Sequence, residues 1–306
     1  MNAGGRGLAG LLVAGCLAAG ALWLLRQGIY GLSIFVILPI ALGGLSTWVT
    51  RPATPGRAAG IGALAVAGAT LLALGLGLEG LICVIMMWPI ALPLGALGAL
   101  LFYKPSPSYS PGRGLAMLLL VPGGLAWDTT AKPAVFEVQS AVEIAAPPET
   151  VWKHVVTFSE LPPPKEWYFR AGIAYPERAR IEGSGPGAVR YCEFSTGRFV
   201  EPIRVWDEPR LLQFDVTANP APMHEWSPYA EVLPKHLHGY FVSKQGQFRL
   251  IPLGKGRTRL EGTTWYQHGL WPAQYWRWWS DAIIHRIHLR VLEHIRTLAE
   301  VESGQR

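Results

Sequence analysis

Charge is nearly missing from the first 127 residues of this 306-residue chain. Seven charged side chains occur there (Arg6, Arg26, Arg51, Arg57, Glu79, Lys104 and Arg113), against 41 in the remaining 179. A water-soluble fold needs a charged surface, so this scarcity excludes an ordinary soluble domain over the first part. Cysteine is scarce too. Cys16, Cys83 and Cys192 supply neither a disulfide framework nor a zinc spacing. A basic stripe is also lacking. The net charge of +6 comes mostly from the apolar part, while residues 128–306 carry 21 Lys/Arg and 20 Asp/Glu. Nothing is left over to neutralise phosphates, which excludes nucleic acid as a partner.

What the first part has instead is long apolar runs. A bilayer core takes about 20 apolar residues of helix. Leu8–Leu25, Tyr30–Thr50, Ala58–Leu78 and Leu81–Tyr103 are of that length and free of charge, so residues 1–127 read as a transmembrane helical bundle with four spans. Pro39, Pro89 and Pro93 fall inside spans, where neighbouring helices make proline tolerable. Abundant Gly and Ala suit close packing in lipid. One side of the bundle receives Arg6, Arg51, Arg57, Lys104 and Arg113, and the other Arg26 and Glu79. The positive-inside rule then puts the N-terminus in the cytoplasm, with the chain in the inner cell membrane. Gly114–Trp127 is a fifth apolar stretch of about 21 Å at 1.5 Å per residue. Its flanks, Arg113 and Trp127-Asp128, favour a span, although Pro122-Gly123-Gly124 favours a break. A fifth span places the following domain outside the cytoplasm, and an interfacial helix leaves it inside. No ionisable residue lies within a span to mark an ion path. Glu79, in a Gly-Leu-Glu-Gly turn, reads as a cap for two spans. Val13-Ala14-Gly15-Cys16 fits a lipoprotein cleavage box, yet the apolar run continues to Leu25 as a spanning helix does.

Beyond a linker over 128–134 the period changes to two. Val135–Ile144 alternates as a strand, and Pro147-Pro148 opens a helix carrying Val151, Trp152, Val155 and Val156. Further strands are expected at Arg178–Glu182, Ala188–Ser195, Phe199–Asp207, Leu211–Thr217, Tyr240–Pro252 and Arg257–Gln267, with a long loop over Ala218–Gly239. A helix from Pro272 to about Val301 ends the series. Gly183-x-Gly185-x-x-Ala188 fits a dinucleotide fingerprint in letters only. It lies between two strands, so a hairpin turn is the better reading. The order, one strand, short helices, a run of antiparallel strands and one long helix, gives an α+β domain over 135–303. Its curved sheet has a single long helix to cover one face, a layout that tends to leave an apolar cavity between them.

Ile144-Ala145-Ala146-Pro147-Pro148-Glu149-Thr150-Val151-Trp152, the Gly-Pro-Gly-Ala-Val-Arg turn and Trp206-Asp207-Glu208-Pro209-Arg210-Leu211-Leu212 carry a resemblance. They resemble the START-like SRPBCC superfamily, and within it the bacterial polyketide cyclase/dehydrase and lipid-transport group. The likeness covers about Val135–Val301 and not the membrane part. It implies a helix-grip fold, in which a curved antiparallel sheet wraps the C-terminal helix around a hydrophobic ligand site. It does not imply one chemistry, because the superfamily includes carriers, sensors and enzymes.

On a helical projection Trp276, Ile283, Ile284, Ile287, Val291, Ile295 and Leu298 share an apolar arc. Asp281, His285 and His288, at i, i+4 and i+7, line one border of it. A carboxylate and two imidazoles on one face suit acid–base work or a metal, or simply mark the polar edge of the helix with Asp281 orienting His285. His236-x-His238, with His224 and Glu225, enriches the long loop without supplying a third ligand at clear spacing. The aromatic cluster Trp265, Tyr266, Trp271, Tyr275, Trp276, Trp278 and Trp279 has three readings: core, ligand wall, or an interfacial belt. Taken as a ligand wall it gives Trp265, Tyr266, Tyr275, Trp276, Trp279, Ile283, Ile287 and Tyr240. The whole reads as a membrane-anchored domain that binds or transfers a hydrophobic small molecule or lipid, with no cofactor or metal implied. The alternatives are a cyclase- or dehydratase-like enzyme using Asp281, His285 or His288, and a regulatory or assembly module without ligand.

Overall fold

A computed structural model describes residues 3–103, 123–130, 132–229, 237 and 239–304. They divide into two compact units. One comprises residues 1–132 with 225–236 and 269–272, and the other comprises the rest from residue 133 onward.

The first unit is helical. Helix α1 spans Ala3–Gln27, α2 Leu38–Thr50, α3 Pro55–Gly75 and α4 Leu81–Phe102, and a further helix, α5, covers 123–130. Thr54 caps α3 by accepting from Arg57 N at 3.3 Å, and Pro55 follows at the first helical position, where its missing N–H costs nothing. Four helices are long and apolar enough to cross a membrane: Gly7–Gln27, Ser33–Thr50, Pro55–Gly75 and Leu81–Phe102. The second begins with a π-helical turn, Ser33–Ile37, which the apolar pattern does not foretell. Small residues let the helices touch. A Cβ at Gly43 or Gly62 would strike the carbonyl of Gly95, and one at Gly98 would strike the carbonyl of Ile40. Across α3 and α4, Trp88 Nε1 donates to Thr70 Oγ1 at 3.0 Å.

Two helix starts in this unit are capped by carboxylates from far along the chain. Asp128 accepts from Leu32 N and Ser33 N at 2.6 and 2.9 Å. Glu225 accepts from Ile82 N and Cys83 N at 3.0 and 3.1 Å, and Trp226 O accepts from Leu81 N at 2.8 Å. Gly31 and Gly80 are the residues that leave room, since a Cβ on either would collide with the capping carboxylate. The carboxylate that accepts from the first N–H groups of α4 is thus that of Glu225, far along the chain from the turn that holds Glu79. Of the fifth apolar stretch, 114–122 lies outside the described residues.

The second unit is a seven-stranded antiparallel sheet in the order β1-β7-β6-β5-β4-β3-β2. The strands are β1 Val135–Ile144, β2 Pro176–Glu182, β3 Val189–Phe194, β4 Gly197–Asp207, β5 Leu211–Asp215, β6 Phe241–Gly254 and β7 Arg257–His268. Short helices α6 Pro148–Val156 and α7 Trp167–Arg170 follow β1, and the long helix α8, Ala273–Glu302, closes the chain. In β1 the alternation is literal: Val138, Ser140, Val142 and Ile144 are buried, whereas Glu137, Gln139 and Glu143 are exposed. Gly183, Gly185 and Gly187 all take positive φ (85°, 76° and 92°) in the β2–β3 hairpin, so this glycine run is a turn. One apolar core joins α6, the sheet and the later part of α8 through Ile144, Val151, Leu212, Leu260, Leu292 and Ile295. A smaller one joins Val138, Tyr266 and Ile284 near the start of α8. The curved sheet gripping one long helix is the helix-grip arrangement.

Candidate functional site

Strand parity decides what faces the helix. Cross-strand pairs carry the inward row from Ser140 on β1 through Gly262 on β7 and Phe248 on β6 to Leu212 on β5. On the far strands the same inward face holds Ile203 and Glu201 of β4, with Arg190 and Cys192 of β3. Most of this face is apolar, so its polar members stand out.

The first polar feature is an ion pair between Arg190 and Glu201, directly opposite one another on β3 and β4 and only 2% and 8% exposed in their side chains. The guanidinium carbon lies 5.5 Å from the ring centres of Phe158 and Phe214 and 5.4 Å from that of Phe248. Arg190 Nε finds no acceptor among the described residues. Burial pushes the Glu201 carboxyl up, with the Arg190 charge opposing it. Beside them, burial raises the Cys192 thiol to about 12, which keeps it protonated and no nucleophile. Neither Arg190 nor Glu201 stands out as a site in the sequence. The available signal was parity, since two adjacent strands each carry a charge of opposite sign in the inward register.

The second feature lies where α8 crosses β1 and β7. Ser140 Oγ is 2.7 Å from His285 Nδ1 and 3.1 Å from His288 Nδ1, and Thr264 Oγ1 is 2.7 Å from His288 Nε2. Burial lowers the His288 pKa to about 4, so the ring is neutral. The buried line of α8 runs Trp276, Ser280, Ile284, Val291, Leu292, Ile295 and Ala299. His288 sits on that line, four residues from both Ile284 and Leu292, and not on its border. His285 is exposed.

Asp281 does not join the histidines. Its oxygens are taken by Tyr266 OH at 2.5 Å and Arg277 Nε at 3.0 Å. The expected triad is therefore two separate arrangements, and Asp281 does not orient His285. The expected ligand wall also divides. Tyr266 is fully buried against Phe136 and Phe241, at ring distances of 5.6 and 5.2 Å. Trp265, its neighbour on the strand, must face the other way, and its Nε1 donates to the exposed Glu137 at 2.9 Å. Trp276 is buried, Tyr275, Trp279, Ile283, Ile287 and Tyr240 are half-buried, and Trp278 is exposed. His224 Nε2 sits 3.4 Å from Ser195 O, while His236 and His238 lie outside the described residues. Among the described residues no group of three metal-ligating side chains occurs.

No curated protein matches the chain at a significant level. Among solved structures, norcoclaurine synthase of Thalictrum flavum, a point mutant with a transition-state analogue, is similar at 13% identity and TM-score 0.38. That match covers 57% of this chain and 99% of the synthase. The Zhui aromatase/cyclase of Streptomyces sp. R1128 is similar at 18% identity and TM-score 0.34, over 55% of this chain and 94% of its own. Residues 135–268 match the family described as polyketide cyclase / dehydrase and lipid transport. On that match residues 135–268, and not the N-terminal apolar helices, are similar to this family.

Proposed function

We propose that the chain is a membrane-anchored protein whose helix-grip domain binds or transfers an apolar molecule carrying a polar head, such as a lipid. The observation that supports this most is the Arg190–Glu201 pair under three phenyl rings, with the guanidinium still holding an unused donor. Apolar replacements of buried ion pairs are often neutral or stabilising by about 1–4 kcal/mol, so such a pair is a poor device for stability alone. A donor reserved for the head group of an otherwise greasy ligand accounts for it. Four apolar helices tether the domain beside the bilayer, which raises the effective concentration of a membrane-dissolved ligand.

The sidedness we favour puts the domain opposite the N-terminus. In support, α4 ends at Tyr103, whose hydroxyl donates to Ala53 O beside the α2–α3 turn, whereas Asp128 caps the helix start at the α1–α2 turn.

The test is mass spectrometry of small molecules retained by the full chain after extraction in mild detergent, compared with Arg190→Met/Glu201→Leu. A stoichiometric amphipathic molecule in the wild type, absent from a folded double variant, is the expected result. A wild type that retains nothing, or retention indifferent to the double change, overturns the reading.

A second reading, a cyclase- or dehydratase-like enzyme, draws on a different observation, the neutral histidine bonded at both ring nitrogens. Unchanged turnover after alanine replacement of His285 and His288 would remove it.

A further inference from the structure

The four groups where α8 crosses β1 and β7 stand in single file: Thr264, His288, Ser140, His285. Each hydroxyl donates once and accepts, and each neutral imidazole has one donor and one acceptor. The file can therefore be bonded in two directions. In one, Thr264 donates to His288 Nε2, His288 Nδ1–H to Ser140, and Ser140 to His285 Nδ1. In the other, every bond is reversed. Both leave each group satisfied, and passing between them carries one proton from the inner face of the sheet to the exposed side of α8.

We propose that Thr264, His288, Ser140 and His285 form a proton-relay site that serves a carbon acid, such as an enolisable carbonyl compound, held in the helix-grip interior. This rests on the reading that the interior holds a ligand. In the forward direction Thr264 Oγ1 takes a proton from the ligand C–H as its own passes to His288 Nε2. His288 Nδ1–H then passes to Ser140, and the Ser140 proton to His285 Nδ1. The imidazolium formed there gives its Nε2 proton to water. The ligand is left as an enolate, with no oxidant or cofactor needed, and the reverse sequence reprotonates it.

The surroundings suit a relay more than a store. The groups facing His288 are Ser140 from β1, Thr264 from β7 and His285 from its own helix. Burial and the neighbouring imidazole disfavour charge on its ring, so a proton does not stay there. Asp281, the nearby carboxylate, is engaged by Tyr266 and Arg277 and does not trap the proton either. The exit group, His285, is the exposed one.

The test is exchange of the His288 ring N–H with water, read by nitrogen-15 NMR on the histidine-labelled full chain in detergent micelles. Exchange at least ten-fold slower in Ser140→Ala than in wild type is expected. His285→Phe, at an exposed position that folding tolerates, should slow it in the same sense. A merely structural network predicts the opposite sign, because deleting a bond loosens the ring. Exchange equal or faster in both variants overturns the relay. With 2-tetralone as probe in D2O, wild type should take deuterium into the ketone at least ten-fold faster than either variant, and equal uptake overturns the use on a carbon acid. A retained ligand together with unchanged exchange would sink the relay while leaving the binding reading intact.

Discussion

Burial between α8 and the sheet lowers the His288 pKa from the ordinary value of 6.5 to about 4, with His285 adding to the effect. The unfolded chain therefore binds a proton between those values that the folded chain does not. Stability is fully present above about pH 6.5 and falls as the pH drops towards 4, by up to about 3 kcal/mol. Half-buried His294, also lowered mainly by burial, acts in the same sense. Thermal denaturation in detergent should show a midpoint that declines from pH 7 to pH 4. His288→Phe should flatten that slope, and an unchanged slope would contradict the assignment. At Arg190 the outcome depends on which partner is removed. Arg190→Met alone strands a buried carboxylate and should cost about 3–5 kcal/mol, whereas the double change with Glu201→Leu should regain most of it. Urea denaturation of the two variants separates a stranded charge from lost packing.

Among the elements, the strands were the most legible because period two is a direct consequence of the pleat. Val135–Ile144 was read at its observed bounds, and the expected β2–β3 turn coincides with three positive-φ glycines. The closing helix was legible in extent and only in part in rotation. Four members of the expected arc, Trp276, Ile284, Val291 and Ile295, are buried, whereas Ile283, Ile287 and Leu298 are half-buried, and the buried line takes in Ser280, which a projection weighted by hydrophobicity leaves out. The π-helical turn at Ser33–Ile37 has no such pattern, since nothing in an apolar run distinguishes one kind of helix from another. Helix contacts in the first unit were legible only as composition, and the structure names the positions. Gly95→Leu would push into Val66 and the backbone of Gly62, and overpacking of this kind costs about 1–3 kcal/mol. Gly68→Leu, with nothing within 4 Å, should leave the melting of the detergent-solubilised protein nearly unchanged. Equal effects at the two sites would argue that α2, α3 and α4 do not pack through Gly95.

At the scale of the whole chain, uneven charge divides the sequence into an apolar helical part and a charged part. What it hid were the two places where later segments serve the helical unit, Asp128 and Glu225, because a capping carboxylate distant in sequence looks like any other acid. Sidedness is testable with single cysteines in a background without Cys16, Cys83 and Cys192. Gly56→Cys should react with an impermeant thiol reagent from the cytoplasmic side only, and Lys244→Cys from the opposite side only. Labelling of both from one side would place the helix-grip domain in the cytoplasm.

The strand order also bears on how the protein is made. Among the described residues β1 has its one sheet partner in β7, and Val135 pairs with Gln267. The first strand to leave the ribosome thus waits for the last before its inner edge is paired. The apolar helices precede both, so they can enter the bilayer while the sheet is still an open ribbon with an unpaired edge. During that interval the alternating face of Val138, Val142 and Ile144 is exposed, and slow, non-local closure of this kind leaves a nascent chain dependent on protection from aggregation. Truncation before β7 should therefore yield membrane-inserted chains that are readily proteolysed beyond residue 134, whereas chains extended through α8 resist.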